Sequence, residues 1–195
     1  MITGGGSGIG KAIAKRFTDA GATVVIVGRN KEKLESAAAE ISSPRLECMQ
    51  WDISDLSLCE SNFKRAAELI GGLNGFVNAA ALGSAVVTGR GYEPWDITEE
   101  EWDTLTDVNF KAAFFMMRNE VDFMRARGIR GNILNIASNA ACMDIIGSYG
   151  AAKQAVIKWT RAFGKRFGSD GIIINGIAPG ATFTPMIADY AHAID

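Results

Sequence analysis

The chain has 195 residues, 48% hydrophobic and 22% charged, enough to bury a substantial core as one globular domain. A net charge of −2, from 20 basic and 22 acidic residues, gives no electrostatic case for nucleic acid or an anionic membrane as partner. No apolar run approaches the ~20 residues that span a bilayer, the glycine-rich start does not read as a leader peptide, and three cysteines without a C-x-x-C pairing read as reduced thiols of a cytoplasmic protein.

After Met1 and Ile2 comes Thr3-Gly4-Gly5-Gly6-Ser7-Gly8-Ile9-Gly10, a glycine-rich turn that leads into a helix through Lys11–Phe17, with Ile9, Ile13 and Phe17 on one face. Glycines let backbone approach a ligand closely, and the N–H groups that open the helix point at an anion such as a dinucleotide pyrophosphate. An ordinary flexible loop is the plain alternative, and the spacing is G-x-x-x-G-x-G rather than the commoner G-x-G-x-x-G.

Beyond the turn the pattern alternates. Strands are predicted over Thr23–Val27, Leu46–Trp51, Gly75–Asn78, Asn132–Ala137 and Ile172–Ile177. Helices are predicted over Lys31–Ile41, with Asn30 as N-cap, and over Ser54–Ile70, with Leu58, Ala66, Leu69 and Ile70 apolar. A long helix over Thr98–Arg127 opens with the capping box Thr98-Glu99-Glu100-Glu101, and a last one covers Tyr149–Phe167. Strands alternating with helices predict an α/β chain, a doubly wound parallel sheet flanked by helices in a single domain. Ligands of such sheets sit at the carboxyl ends of the strands. Gly4–Gly10, Arg29, Asp52, Asn78 and Ser138 all fall just after strands, so one edge should gather them.

Tyr149 and Lys153 stand at i and i+4, which stacks them on one helix face. A phenol beside a fixed ammonium has its ionised form favoured, and lowering a tyrosine from ~10 to near neutrality takes about 4 kcal/mol. So tuned, it can exchange a proton near neutral pH. Each of these residues has a plainer use. Lys153 could be a solvated helix lysine, Ser138 a strand-end cap, Asp52 a cap of the following segment and Thr184 a turn residue before Pro185. Asn109, mid-helix where asparagine is a poor former, invites a specific role. The single histidine, His192, gives no basis for a metal site or a Ser-His triad, and no metal is expected.

Taken in order, these motifs resemble the classical short-chain dehydrogenase/reductase family, nearly end to end. Thr3-Gly4, Gly8, Ile9 and Gly10 look like its cofactor glycine motif. Asp52, with Ile53, looks like its adenine-holding pair. Asn78-Ala79-Ala80-Ala81 stands where the family has Asn-Asn-Ala-Gly. Asn109, Ser138, Tyr149 and Lys153 match its catalytic residues, and Pro179-Gly180 with Thr182 and Thr184 its nicotinamide loop. The resemblance implies a Rossmann-type fold, a small carbonyl or alcohol substrate and a homodimer or homotetramer built on the long helices. It also implies roles. Tyr149 passes the proton, Lys153 lowers its pKa and holds the ribose, Ser138 fixes the substrate oxygen, and Asn109 holds a water leading from Lys153 to solvent.

After the second strand the chain reads Gly28-Arg29-Asn30, without the acid that favours NAD(H), and Arg29 could pair with the 2′-phosphate of NADP(H). NADP(H) is the expected cofactor, with NAD(H) the alternative. The expected substrate is a ketone or secondary alcohol, for example a 3-oxoacyl thioester, a sugar or a polyol. A non-catalytic redox sensor that keeps only the glycine turn is the reading from a different class. Departures from the family pattern are Ala79 and Ala81, the short Ser138–Tyr149 spacing, a long Leu82–Asp96 segment bearing Arg90, Tyr92 and Trp95, and ends that read as lacking part of the first strand and the C-terminal segment. Phe110, Phe114, Phe115 and Met117 suggest a wide apolar surface on the long helix, and burial in the core explains them as well.

Overall fold

The computed structural model describes residues 1–90, 95–144 and 146–187, so Tyr92 and His192 lie outside the described residues. Six parallel strands form one sheet. They are β1 (Ile2–Thr3), β2 (Val24–Gly28), β3 (Leu46–Gln50), β4 (Gly75–Asn78), β5 (Asn132–Ile136) and β6 (Ile173–Ile177), in the order β3-β2-β1-β4-β5-β6. The chain starts in the middle and winds outward in both directions, which places a crevice at the reversal between β1 and β4. Both neighbours register on the two residues of the central strand: Ile2 pairs with Ile26 and Val77, and Thr3 with Val27 and Asn78.

Both faces of the sheet are covered, and β2 shows why its sequence is a continuous apolar run. Val25 and Val27 face one layer with Met49, Trp51, Phe63, Phe76 and Phe123, while Val24 and Ile26 face the other with Ile2, Leu34, Ala37 and Val77. The first layer has an aromatic heart, with Phe63 edge-on to Phe76 at 5.0 Å and to Phe123 at 5.6 Å.

The helices are α1 (Gly8–Asp19), α2 (Lys31–Ile41), α3 (Cys59–Ile70), α4 (Ser84–Thr88), α5 (Glu99–Thr106), α6 (Ala113–Ala126) and α7 (Ser148–Phe167). Asn30 caps α2 by accepting from the Lys33 N–H at 2.7 Å, and Thr98 and Glu101 close the expected capping box on α5. Three expectations need correction. The long helix over Thr98–Arg127 is broken by a π-helical turn at Asp107–Ala112 that separates α5 from α6. The helix over Ser54–Ile70 begins only at Cys59, because Asp52 ties up Ser54 and a short 3-10 turn occupies Leu56–Leu58; Leu58 and Leu69 are exposed, and Cys59, Phe63 and Ala66 form the buried face. In α1 the small residues Gly10, Ala14 and Thr18 are buried and Phe17 is exposed, because the helix packs too closely on the sheet for a large side chain there.

Candidate active site

The glycine turn is packed backbone against backbone. Gly4 has a φ of 67°, and a Cβ there would lie 2.8 Å from the Ala80 backbone. A Cβ on Gly10 would collide with the carbonyl of Gly4. Buried Thr3 completes the join, because its Oγ accepts from the N–H groups of Ala79 and Ala80, both at 3.2 Å. A hydroxyl from β1 thus fixes a turn whose alanines have no side-chain amide of their own. Helix α1 starts at Gly8, and Ser7 makes no side-chain cap to its first turn. Its opening N–H groups and helix dipole are therefore directed at whatever lies beyond the sheet edge, which suits a pyrophosphate. Thr184 packs over the turn, 3.1 Å from where a Gly8 Cβ would stand.

The next two strands supply the rest of this flank. Arg29 follows Gly28 with its side chain exposed, its backbone carbonyl accepting from Gln50 Nε2 at 2.9 Å. Lys33, in the first turn of α2, backs the glycine turn 3.5 Å from a Gly6 Cβ position. Asp52 closes a turn by accepting from the Ser54 N–H at 3.0 Å and the Ser54 hydroxyl at 2.8 Å, beside buried Ile53.

On the other side of the crevice, α7 carries Tyr149 in its first turn and Lys153 one turn on, with the Lys153 Nζ 5.6 Å from the Tyr149 ring centroid. Lys153 is buried, and its Nζ donates to the Ile136 carbonyl at 2.9 Å; burial pushes its ammonium down to about 8. Ser138, just past β5, accepts from the Ala140 N–H at 3.2 Å, so it caps the turn at Asn139–Cys142. One hydroxyl can do that and still donate its proton elsewhere. Asn109 sits in the π-helical turn with its amide clasped to Leu82, accepting from the Leu82 N–H at 2.9 Å and donating to the Leu82 carbonyl at 2.7 Å. A cavity of about 20 Å³, room for one water, lies among Thr3, Asn78, Asn109, Asn135 and Lys153. The loop after β6 docks beside Ser138, with the Pro179 carbonyl accepting from the Asn139 N–H at 2.9 Å, and Thr182 folds back on the Gly180 carbonyl at 3.0 Å.

The expected edge therefore forms. Gly4–Gly10, Ser138, Tyr149, Lys153 and Pro179–Thr184 flank one crevice, with Arg29 and Asp52 further along the ends of β2 and β3. Asn78 is the exception, because its side chain turns inward and donates to Glu120 Oε2 at 2.9 Å and Asn135 Oδ1 at 3.0 Å. Asn135 in turn donates to Thr160 Oγ1 at 2.9 Å. Sequence reasoning missed this buried polar layer and its fully enclosed Glu120, whose carboxyl burial pushes up to about 7 against the pull of Asn78. The signal was available. Glu120 continues the Met116, Met117 and Val121, Met124 stripe on α6, so it faces the core.

A profile of the short chain dehydrogenase family matches residues 1–195. Levodione reductase of Leifsonia aquatica is 32% identical, with all of this chain and 73% of that protein aligned, and its crystal structure superposes with a TM-score of 0.87, covering 75% of that chain. A 3-ketoacyl-(acyl-carrier-protein) reductase from Brucella melitensis complexed with NADH is 30% identical with a TM-score of 0.85, covering 96% of this chain and 76% of that one. An actinorhodin polyketide ketoreductase with NADPH is 26% identical with a TM-score of 0.84, covering 98% and 74%. These matches run through the glycine turn, the parallel sheet and the Tyr149–Lys153 helix alike, and the chain belongs to the short-chain dehydrogenase family as an NAD(P)-dependent oxidoreductase acting on CH–OH groups.

Proposed function

We propose that this chain interconverts a ketone and a secondary alcohol with NADP(H), NAD(H) being the weaker alternative, and that Tyr149 is its acid and base. The observation that carries the reading is the buried Lys153 ammonium stacked one helical turn from Tyr149, on the same crevice as the glycine turn. The cofactor, when bound, supplies or accepts the hydride. Thr3, Gly4, Gly8, Ile9 and Gly10 would seat its pyrophosphate, Asp52, Ile53 and the backbone at Asn78 the adenosine side, and Pro179, Gly180, Thr182 and Thr184 the nicotinamide.

In reduction Tyr149 donates its phenolic proton to the carbonyl oxygen, and in oxidation it takes that proton from the hydroxyl. Lys153 favours the phenolate by its charge, and Ser138 donates to the substrate oxygen and fixes its distance from Tyr149. Asn109, its amide held by Leu82, itself lines the water-sized cavity beside Lys153, through which a proton can be resupplied. The aromatic face formed by Phe110, Phe114 and Trp159, with rings 4.9 and 5.1 Å apart, would join copies into a homodimer or homotetramer, and free cysteines among the described residues suit the cytoplasm.

Tyr149→Phe should cut turnover by about 10²- to 10⁴-fold and leave the Kd for NADPH unchanged. A pure redox sensor would show no turnover to lose. The NADP(H) preference rests on Arg29, with no acid at Gly28 and Lys33 close by. Titrations followed by nicotinamide fluorescence should give tighter binding of NADPH than NADH, and Arg29→Ala should erase about tenfold or more of that difference, as loss of one charge-assisted phosphate contact would. Equal ratios before and after the substitution would remove Arg29 from the argument.

A further inference from the structure

Three loops surround Tyr149 and Ser138 at the substrate side of the crevice. They are residues 79–90 after β4, residues 139–144 and 146–147 between β5 and α7, and residues 178–187 after β6. They carry two charged side chains between them, Arg90 and Asp144. Arg90 is held by both carboxylate oxygens of Glu101, at 2.8 and 3.1 Å. Four large apolar side chains on these loops face solvent: Val86 is 58% exposed, Met143 53%, Ile146 68% and Phe183 83%, with Asn139, Asp144 and Thr182 exposed among them, and beyond Arg90 stand Trp95, 85% exposed, and Asp96.

Single exposed apolar residues need no account, but these converge on one mouth. A Cβ on Gly83 would meet Met186 at 3.1 Å and Val86 at 3.8 Å, so the first loop touches the third. The Asn139–Pro179 hydrogen bond joins the second loop to the third, and the Ala140 carbonyl lies 3.0 Å from a Gly150 Cβ position, which seats the second loop on the first turn of α7. The three loops are thereby joined to one another and to the first turn of α7, which carries Tyr149.

We infer that the substrate is an uncharged ketone or secondary alcohol with a bulky apolar body, alicyclic or aromatic. The inference rests on the hydride-transfer reading above and names the substrate class for it. The carbonyl carbon gains the hydride and its oxygen gains the Tyr149 proton, so no further reactant is needed. Covering exposed apolar side chains with a hydrocarbon ring is favourable in proportion to the area removed from water. A sugar or polyol would set most of its hydroxyls against Val86, Met143, Ile146 and Phe183, with Asn139, Asp144 and Thr182 as the exposed polar partners on these loops. A phosphorylated thioester would need a cation at the mouth, and the cation there is already clamped by Glu101.

The test uses the full chain loaded with NADPH and three carbonyl compounds: 1-decalone, fructose and acetoacetyl-coenzyme A. The kcat/KM for 1-decalone should exceed the other two by about 100-fold, several methylenes' worth of apolar contact. A higher kcat/KM for fructose or the thioester overturns the inference and leaves the oxidoreductase intact. Binding of 1-decalone to NADPH-loaded Tyr149→Phe protein, read by the change in nicotinamide fluorescence, is scored separately. Binding with no turnover by the unsubstituted chain keeps the substrate class and removes the hydride-transfer reading, whereas absence of binding overturns the inference whatever else is turned over. Met143→Ser and Ile146→Ser should each raise the Kd for 1-decalone about tenfold with the Kd for NADPH unchanged. If instead they shift the sedimentation coefficient and leave ketone binding alone, the patch is an interface between copies and the inference falls.

Discussion

The two ends of this sheet are built to different tolerances. Around β2 every residue from Val24 to Val27 is buried, and the glycine turn that follows β1 meets Ala80 and Gly4 backbone with no space for a methyl group. The loops that follow β4, β5 and β6 instead turn Val86, Met143, Ile146 and Phe183 to solvent. The difference matches what each end must recognise. A dinucleotide is the same molecule in every turnover, so its seat can be fixed by backbone contacts that admit no variation. A substrate pocket made of loop side chains can be respecified without touching the sheet, which is how one fold comes to serve many reactions.

The strongest way to break the comparison is a single methyl in the rigid end. Gly10→Ala would place its Cβ on the Gly4 carbonyl, a backbone atom that cannot swing away. The expected result is a loss of about 1–3 kcal/mol of stability and a weakening of NADPH binding by about tenfold or more, measured by denaturant unfolding and fluorescence titration. Ordinary stability and affinity in this variant would show that the turn gives way easily and that the contrast between the two ends is overstated.

Lys153 stands between the two ends and separates function from stability. Its ammonium is buried and lowered to about 8, so the folded state releases a proton that the unfolded chain keeps between about pH 8 and its ordinary 10.5. The unfolded state therefore binds more protons in that window, and stability from this group rises with pH there and is lowest below pH 8. Lys153→Met should abolish most turnover, by about 10²-fold or more, while raising stability at pH 7 by about 1–3 kcal/mol. Part of the gain is offset because the Ile136 carbonyl loses its donor. A variant that loses both activity and stability would mean that the Ile136 contact, not the charge, dominates.

Much of this arrangement was legible in the sequence, for reasons that differ residue by residue. The strand–helix alternation, the Asn30 cap and the Thr98–Glu101 box are local patterns that tertiary contacts had no cause to override. Tyr149 and Lys153 were legible because a helix fixes which side chains share a face. The π-helical turn at Asp107–Ala112 was not, because apolar residues continue on both sides of it and the inserted turn changes backbone bonding rather than composition. Nor were the destinations of the polar side chains. Asn78 lies at a strand end pointing toward the cofactor crevice by sequence logic, yet its amide turns inward because Glu120 and Asn135 offer it partners there. Asn109 lines the small cavity beside Lys153 and also clasps Leu82, a contact that its place in the sequence did not show. One-dimensional pattern places a residue on an element, and only packing decides which neighbour its polar atoms meet.

Glu120 gives the subtlest test, since it lies under the seam and touches neither end directly. Its carboxyl is enclosed, one oxygen is held by Asn78 and the other, Oε1, has no hydrogen-bond partner in the structure. Burial raises its pKa from 4.5 to about 7. Between those values the unfolded chain has released this proton and the folded chain still holds it, so the unfolded state binds fewer protons. The contribution of Glu120 to stability therefore falls as pH rises from about 4.5 to about 7 and is level above that. Glu120→Gln keeps the acceptor for Asn78 and removes the titration. The stability difference between the two proteins, in which the groups that Glu120 does not act on cancel, should be near zero at pH 4.5 and grow to about 3 kcal/mol in favour of the variant by pH 7.5, less what the buried Met1 amino group loses with the Glu120 charge. Activity should change little, because Asn78 and the crevice above it keep their positions. A difference independent of pH would mean that water or rearrangement already satisfies the carboxylate. A loss of turnover without a loss of stability would instead tie the buried polar layer to Lys153 through the small cavity they border, and would make the rigid end a participant in proton traffic as well as a seat for the cofactor.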